Sequence, residues 1–424
     1  MTNLALSAAS PSDRGFVSAH PVGKDCESRF SVTFLSENRT NALDTLWNRP
    51  FLFINLSCCL IFMNIGLLYL YPLILKTMGS DPHTTGWVMG TFSISAVLSR
   101  PFLGKLVIQK GEYWVISSGM ALTLVASLSY NLITAFGPIM LFIRMIHGIG
   151  FSAFIAGSFS LLAKGVSPLK RSAAFSMVGV SLMVAIALAP SIGEVLIDWY
   201  GFHSLYMAAS GLIVLAWLAL ITGIKPGFGV SRENEGADIR YLPLLRDRPF
   251  FFLLCSTLIF AHSQATVANF LALIAAQNKA SAGPFFFASY LTAIIVLIIL
   301  GRLIDRYGKL FLTCLSYPLL SLSIILIPNT IHSLLFPITA MLFGTGMGVL
   351  FATHNALAAS HGSIQEKPAV MSLFTGVYDT GFITGAVVSG WLANQIGLDM
   401  LFISSGFFTF SGLMIAIFSP MKEI

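Results

Sequence analysis

The chain has 424 residues, of which 56% are hydrophobic and only 10% charged, and its mean hydropathy is +0.82. A water-soluble domain carries about 25% charged residues, so the apolar surplus has to face lipid and a wholly soluble protein is excluded. The net charge of +6 is spread in short clusters between apolar runs, which excludes a nucleic-acid-binding stripe and suits charges that fix membrane topology.

Residues 1–48 are polar, and no basic segment in them leads directly into an apolar one. A disordered cytoplasmic tail is expected there, not a cleaved signal peptide. A membrane-crossing helix needs about 20 apolar residues, and polar breaks divide the rest of the chain into twelve such runs. The first six cover 50–76, 84–107, 113–134, 138–163, 169–197 and 203–224. Span 1 sets Ser57, Asn64 and Tyr71 at steps of seven, on one helical face. Span 4 sets Arg144 and His147 on a common face. Span 5 carries Pro190, which removes a backbone donor and bends the helix. Glu194 follows it, and Gly179, Ser181, Ala185, Ala187 and Ala189 precede it.

The polar segment 225–248 is a cytoplasmic loop between the halves. Beyond it, spans are predicted at 249–275, 283–304, 309–328, 332–360, 368–394 and 398–419. Span 7 places His262, Thr266 and Asn269 at i, i+4 and i+7, again one face. Span 10 holds His354 and Asn355, and span 11 holds Asp379 among Gly376, Gly381, Gly385 and Gly390. Small residues permit close helix approach, so spans 5 and 11 are expected to form the seam between the halves.

Lys and Arg residues crowd one side. They precede span 1 (Arg14, Lys24, Arg29, Arg39, Arg49) and follow spans 2, 4, 6 and 8, whereas the other side has only Lys76 and Lys279. Both termini are therefore expected in the cytoplasm. Five cysteines without a CxxC pair give neither a disulfide framework nor a metal site. There is no phosphate-binding GxxxxGK[ST], no HExxH and no GxSxG, so direct ATP drive, a cofactor and an enzymatic function are not expected.

The two halves repeat. Arg49-Pro50-Phe51 corresponds to Arg248-Pro249-Phe250, Leu60-Ile61-Phe62 to Leu258-Ile259-Phe260, Gly104 and Gly111 to Gly301 and Gly308, and Gly148-Ile149-Gly150 to Gly346-Met347-Gly348. All offsets fall between 197 and 199. Internal repeats of this kind build a transport site where the copies meet. The pattern predicts an all-α membrane protein of twelve transmembrane helices in two pseudo-symmetric six-helix bundles, 49–224 and 249–424.

After span 8 the chain reads Gly301-Arg302-Leu303-Ile304-Asp305-Arg306-Tyr307-Gly308-Lys309. This resembles the signature loop of the major facilitator superfamily, G-x-L-x-D-R-x-G-[KR]. Arg144 with Gly148 is similar to the family's R-x-x-x-G element, and Pro190 with Gly193 to its antiporter element. The resemblance covers roughly 50–419. In the first half the loop's acidic position is Ile108, followed by Gln109, and Glu194 stands where the antiporter element has Gly. The resemblance implies that spans 1, 4, 7 and 10 line a central cavity. It also implies that Gly301, Arg302, Asp305, Arg306 and Gly308, with Pro190 and Gly193, serve gating.

A charge at the bilayer centre costs about 2.5–3.5 kcal/mol, so Arg144, Glu194 and Asp379 need a partner, a water path or a task. Arg144 and Glu194 lie at similar depths in consecutive antiparallel spans, so they are able to meet, as a proton-coupling pair or as a static ion pair. Asp379 is either a proton carrier or a packing partner. Asn64, Tyr71, His147, His262, Thr266, Asn269, His354 and Asn355 are the candidate cargo contacts, with interhelical hydrogen bonding as the plainer role of each histidine.

The sequence thus points to a proton-coupled secondary transporter of a small organic solute, monomeric, in a bacterial inner membrane and working by alternating access. Export of a polar or anionic metabolite, or of a metal chelator, is the expectation. Multidrug efflux and proton-linked uptake are the alternatives, and a transporter-derived sensor or a membrane enzyme is a distant one.

Overall fold

The structure is a computed structural model that describes residues 48–133, 135–167, 170–225, 241–363 and 366–418, with the backbone alone at 172, 241–242, 301–306 and 368. The tail predicted at 1–48, apart from Asn48, and residues 226–240 of the central loop lie outside the described residues.

The apolar runs form helices α1 (Arg49–Thr77), α2 (Pro82–Lys110), α3 (Glu112–Leu132), α4 (Ile139–Gly165), α5 (Arg171–Tyr200) and α6 (Phe202–Gly223). A short helix, Tyr241–Arg246, leads into α7 (Arg248–Gln277), α8 (Gly283–Tyr307), α9 (Lys309–Thr330) and α10 (Phe336–Ser360). The last stretch, Lys367–Phe418, is broken at Gly397, where φ is 83° and ψ 167°. At 1.5 Å per residue an unbroken helix of 52 residues would reach about 78 Å, well beyond a hydrocarbon core of about 30 Å. The break makes it two crossings, α11 (367–396) and α12 (398–418), so the eleven membrane-length helices give twelve spans.

The repeat is visible in how helices start and stop. Asn48 caps α1 by accepting from the Phe51 amide at 2.9 Å, and Asp247 caps α7 by accepting from the Phe250 amide at 3.2 Å. Each cap stands before an Arg-Pro pair, where proline's missing N–H is harmless. Gly111 and Gly308 end α2 and α8 with φ of 86° and 79°, and Gly201 and Gly397 end α5 and α11 with φ of 75° and 83°. Their ψ values lie between 154° and 178°, a region essentially closed to residues with a Cβ. These stops explain why α2 and α8 run three residues past the predicted ends at 107 and 304. Lys and Arg are good helix formers that reach the interface from within a helix, and only the glycine stops it. Pro337 fixes the start of α10 later than predicted, at Phe336.

α1 contains a 3₁₀ turn at Leu68–Leu70. Pro72 cannot donate to the Leu68 carbonyl, and the tightened turn carries Tyr69 and Tyr71 on either side of the helix break. Large apolar side chains such as Leu98, Phe102, Ile298 and Phe407 are exposed all around the protein, as a lipid-facing belt requires.

Within the first six helices α1 packs on α5 and α6, and α4 on α2 and α3. Among the last six, α7 packs on the α11–α12 segment, α10 on α8 and α9, and α12 on α9. The halves meet where α5 lies against α8 and α2 against α11, with α1 touching α7. The face on which Arg49 begins α1 is the near face and its opposite the far face. Gly86 and Gly390 bring α2 and α11 together toward the far face, where a Cβ on Gly86 would lie 3.0 Å from the Gly390 Cα. Leu67, Leu70, Tyr71, Ile74 and Leu75 at the far end of α1 are buried.

Candidate functional site

Arg100 of α2 and Asp379 of α11 form an ion pair between the halves, with 35% and 20% of their side chains exposed. Arg100 lies ten residues inside the near end of α2, directly before Pro101, and is too deep to be a mere topology charge. Among the described residues this is the sole ion pair that joins the halves. The other carboxylate pairs each sit within one half: Lys164 with Glu112 at 2.6 Å, and His361 with Asp247 at 2.9 Å. Glu112, itself 2% exposed, also accepts from Ser160 and so ties α3 to α4.

Arg144 is 3% exposed and has no carboxylate partner among the described residues. Its guanidinium carbon stands 5.2 Å from the Tyr71 ring and 5.3 Å from the Phe92 ring. Its Nε lies 3.4 Å from the Val88 carbonyl and one Nη lies 2.8 Å from the Met89 sulfur. Tyr71, Tyr130 and Tyr206 pack together beside it with centroids 5.0–6.4 Å apart. Ring faces stabilise the cation and leave its charge unneutralised. The Tyr71 hydroxyl, also buried, has no hydrogen-bond partner among the described residues.

His147 belongs to a closed chain beneath this cage. The Asn64 amide nitrogen donates to Ser127 Oγ at 3.1 Å and to the Ala209 carbonyl at 3.0 Å. Its oxygen is therefore left to accept from His147 Nε2 at 3.1 Å. Nδ1 of the same ring then accepts from the Tyr130 hydroxyl at 3.2 Å, which is the neutral Nε2–H tautomer. Asn64 and His147 thus join α1, α3, α4 and α6 inside one bundle.

The second half repeats the theme with other residues. Tyr317 donates to the Ser256 carbonyl at 2.7 Å, and its oxygen lies 2.6 Å from Ser256 Oγ. Tyr317's one proton is committed to the carbonyl, so the Ser256 hydroxyl donates back to it, and His354 Nε2 donates to Ser256 Oγ at 3.0 Å. The buried Nδ1 of His354 has no hydrogen-bond partner among the described residues. His262 lies 3.1 Å from Thr384 Oγ1 and 3.5 Å from Ser389 Oγ, and Thr266 lies 2.7 Å from the same Ser389. Asn269 and Asn355 donate to the carbonyls of Ala265 and Phe351 on their own helices.

Within the second half Tyr378 donates to Gln264 Oε1 at 2.6 Å, and Tyr290 of α8 stands against Gln264 and, across the interface, against Tyr69 of α1. Phe62, Phe92 and Phe151 on one side, and Phe260, Phe351, Tyr378 and Phe382 on the other, form two ring clusters with centroids 5.4–6.5 Å apart. The sequence reading did not select Arg100, Gln264, Tyr69 or the rings. Arg100's place before a proline deep in an apolar run was the available signal.

Arg144 and Glu194 do not meet. Similar depth allowed the contact, but the two side chains point to different neighbours: Arg144 into the tyrosine cage, and Glu194 across to α8, where Oε1 and Oε2 accept from the amides of Ala282 and Gly283 at 2.6 and 3.0 Å. Asp379 is paired, not isolated. Pro190 is buried in α5, and a Cβ on Gly193 would come within 2.7 Å of Leu70 and 3.0 Å of Leu205. The side chains of Arg302, Asp305 and Arg306 lie outside the described residues, and of Gly301 the backbone alone is described. Gly308 ends α8. Among the described residues no group of His, Cys, Asp or Glu side chains is arranged to hold a metal.

The sequence profile of the Major Facilitator Superfamily matches residues 51–362 and 278–423. A multi-drug resistance efflux pump PmrA homolog of Lactococcus lactis is 23% identical over 394 residues, covering 88% of this chain and 94% of that protein. An uncharacterized MFS-type transporter of Methanocaldococcus jannaschii is 23% identical over 346 residues, covering 79% and 88%. The fold is similar to that of the nucleoside transporter NupG, with a TM-score of 0.66 at 15% identity over 87% of this chain and 98% of that one. It is similar also to that of the human organic anion transporter MFSD10, with a TM-score of 0.65 at 18% identity over 87% and 99%.

Proposed function

Since this chain belongs to the Major Facilitator Superfamily, whose members are secondary transporters and not enzymes, we propose that it exports a polar or anionic organic molecule in exchange for protons. The observation that carries this reading is the Arg100–Asp379 pair, one ionised partner from each half at the interface. A proton on Asp379 removes the attraction that holds α2 to α11 and frees Arg100. An anionic group of the cargo does the reverse, competing with Asp379 for the guanidinium. The two ligands therefore bias the same pair of helices, which is how a solute and a proton become coupled through rigid-body states.

The preference for an anion follows from the interior charge balance. Arg100 and Asp379 cancel, while Arg144 stands uncompensated behind Phe92. The flanking rings favour a cargo with a planar apolar part. Export is supported by the similarity to the Lactococcus efflux pump homolog. In this reading the near face is cytoplasmic, because the Lys and Arg clusters lie on it, and the protein works as a monomer in a cytoplasmic membrane.

The test is dye retention in cells with and without the protein. Carboxyfluorescein, an anionic aromatic probe, is expected to be retained less when the protein is present, and ethidium, a cationic one, to be unaffected. Lower retention of ethidium alone would overturn the anionic preference. Higher retention of carboxyfluorescein with the protein present would overturn export.

A further inference from the structure

Glu194 sits near the far end of α5, in the first half, and its carboxylate takes both free amides at the start of α8, in the second half. The first amides of a helix have no partner within it and carry the positive end of its dipole. They are usually satisfied by the N-cap side chain of the same chain segment, two or three positions earlier. Here the acceptor comes from 88 residues away and from the opposite bundle.

The contact is built from both sides. Gly283 has no side chain to hold the helices apart, and a Cβ there would lie 2.7 Å from Glu194 Oε2 and 2.7 Å from the Ser191 Cα. On α5, Gly193 lets Leu67, Leu70 and Leu205 close over the same turn. α1 and α6 thus face it with aliphatic side chains. The charged group acting on Glu194 is Asp198, one turn further along α5. Lys279 lies in the α7–α8 turn three residues before Ala282, and no ion pair joins it to Glu194.

A carboxylate held only by backbone amides, with a second carboxylate beside it, loses its hold when it takes a proton. The neutral acid is a weaker acceptor and no longer answers the helix dipole. We infer that Glu194 is the far-side gate latch of this transporter, a carboxylate that clasps α8 while ionised and lets the far face open when a proton from the far medium reaches it. The inference rests on the proton-exchange reading given above and adds to it a second proton site, separate from the Arg100–Asp379 pair.

Amide hydrogen exchange reads this latch directly, because the clasped groups are themselves exchanging amides. The full-length protein in nanodiscs would be followed at residues 280–288 in neutral and in mildly acidic buffer, with rates corrected for intrinsic pH dependence. Protection of this segment is expected to fall on acidification in the native protein. In Glu194→Gln it is expected to be lower by about tenfold at neutral pH and insensitive to acid, the effect of losing one charge-assisted cap. Gly283→Ala, whose methyl wedges against Ser191 and the Glu194 carboxylate while leaving that carboxylate chemically intact, is expected to lower protection at both pH values. It serves as the independent probe if Glu194→Gln fails to fold.

Unchanged protection in both variants would overturn the latch. A loss in the variants without any acid response in the native protein would reduce Glu194 to a static cap and overturn it equally. The measurement involves no cargo, so an acid-sensitive segment in a protein whose dye efflux ignores the proton gradient would leave the latch standing and remove the proton-exchange reading.

Discussion

Replacing Asp379 by Asn leaves the Arg100 guanidinium at the interface without its counter-charge. Removing one partner of a fully buried pair costs about 3–5 kcal/mol, and of an exposed pair about 0–1 kcal/mol. Arg100 is 35% exposed and Asp379 20%, between those limits, so about 2 kcal/mol is expected, or roughly thirtyfold in the unfolding equilibrium. Arg100→Met should cost about the same, because the carboxylate is then the stranded group. The double variant should cost about as little as either single one, since neither charge remains unpaired. The assay is a double-mutant cycle on denaturant unfolding in mixed micelles, followed by tryptophan fluorescence. A coupling energy of about 2 kcal/mol is expected, and effects that add to within about 0.5 kcal/mol would show that the pair holds nothing together.

Asn64→Leu should lower stability by about 1–3 kcal/mol, because it strands His147 Nε2 and the Ala209 carbonyl in a dry interior; a thermal shift within error would refute that network. Gly308→Ala should cost about 1–3 kcal/mol, because φ of 79° with ψ of 154° is closed to alanine, whereas Gly179→Ala, with open space at the Cβ, should be neutral or stabilising. Asp81 caps α2, and its carboxylate is held below its ordinary value of 3.8 by hydrogen bonding to Thr84. The cap's contribution is therefore complete above that pH and is lost as pH falls through the lowered value. Asp81→Ala should cost about 1 kcal/mol equally at pH values near 5 and 8, and a cost that changes between them would contradict the assignment.

The membrane fold was legible because its causes are local. Twelve apolar runs, the Arg-Pro-Phe starts and the glycines 197 residues apart each act within one helix, and periodicity and backbone sterics report them directly. The partners of the intramembrane charges were not legible. Arg100 and Asp379 are 279 positions apart, and Glu194 and Ala282 are 88. Sequence gives a residue's depth along its helix but not the direction in which it points, and so Arg144 and Glu194, alike in depth, seemed able to pair. The same gap hid the role of Arg100, a cation toward the near end of α2 that ten helical residues follow. The polar face on α1 was correct as a face. Asn64 and Tyr71 share it, yet both turn into their own bundle, toward His147 and Arg144.

The most direct measurement is proton movement in everted membrane vesicles loaded with an acid interior by respiration and reported by a quenched amine dye. Adding carboxyfluorescein to the medium should dissipate the pH gradient in vesicles that contain the native protein, and should leave it intact with Asp379→Asn. Dye uptake without any change in the gradient, or equal dissipation by the Asp379→Asn protein, would contradict exchange of cargo and proton at the Arg100–Asp379 interface.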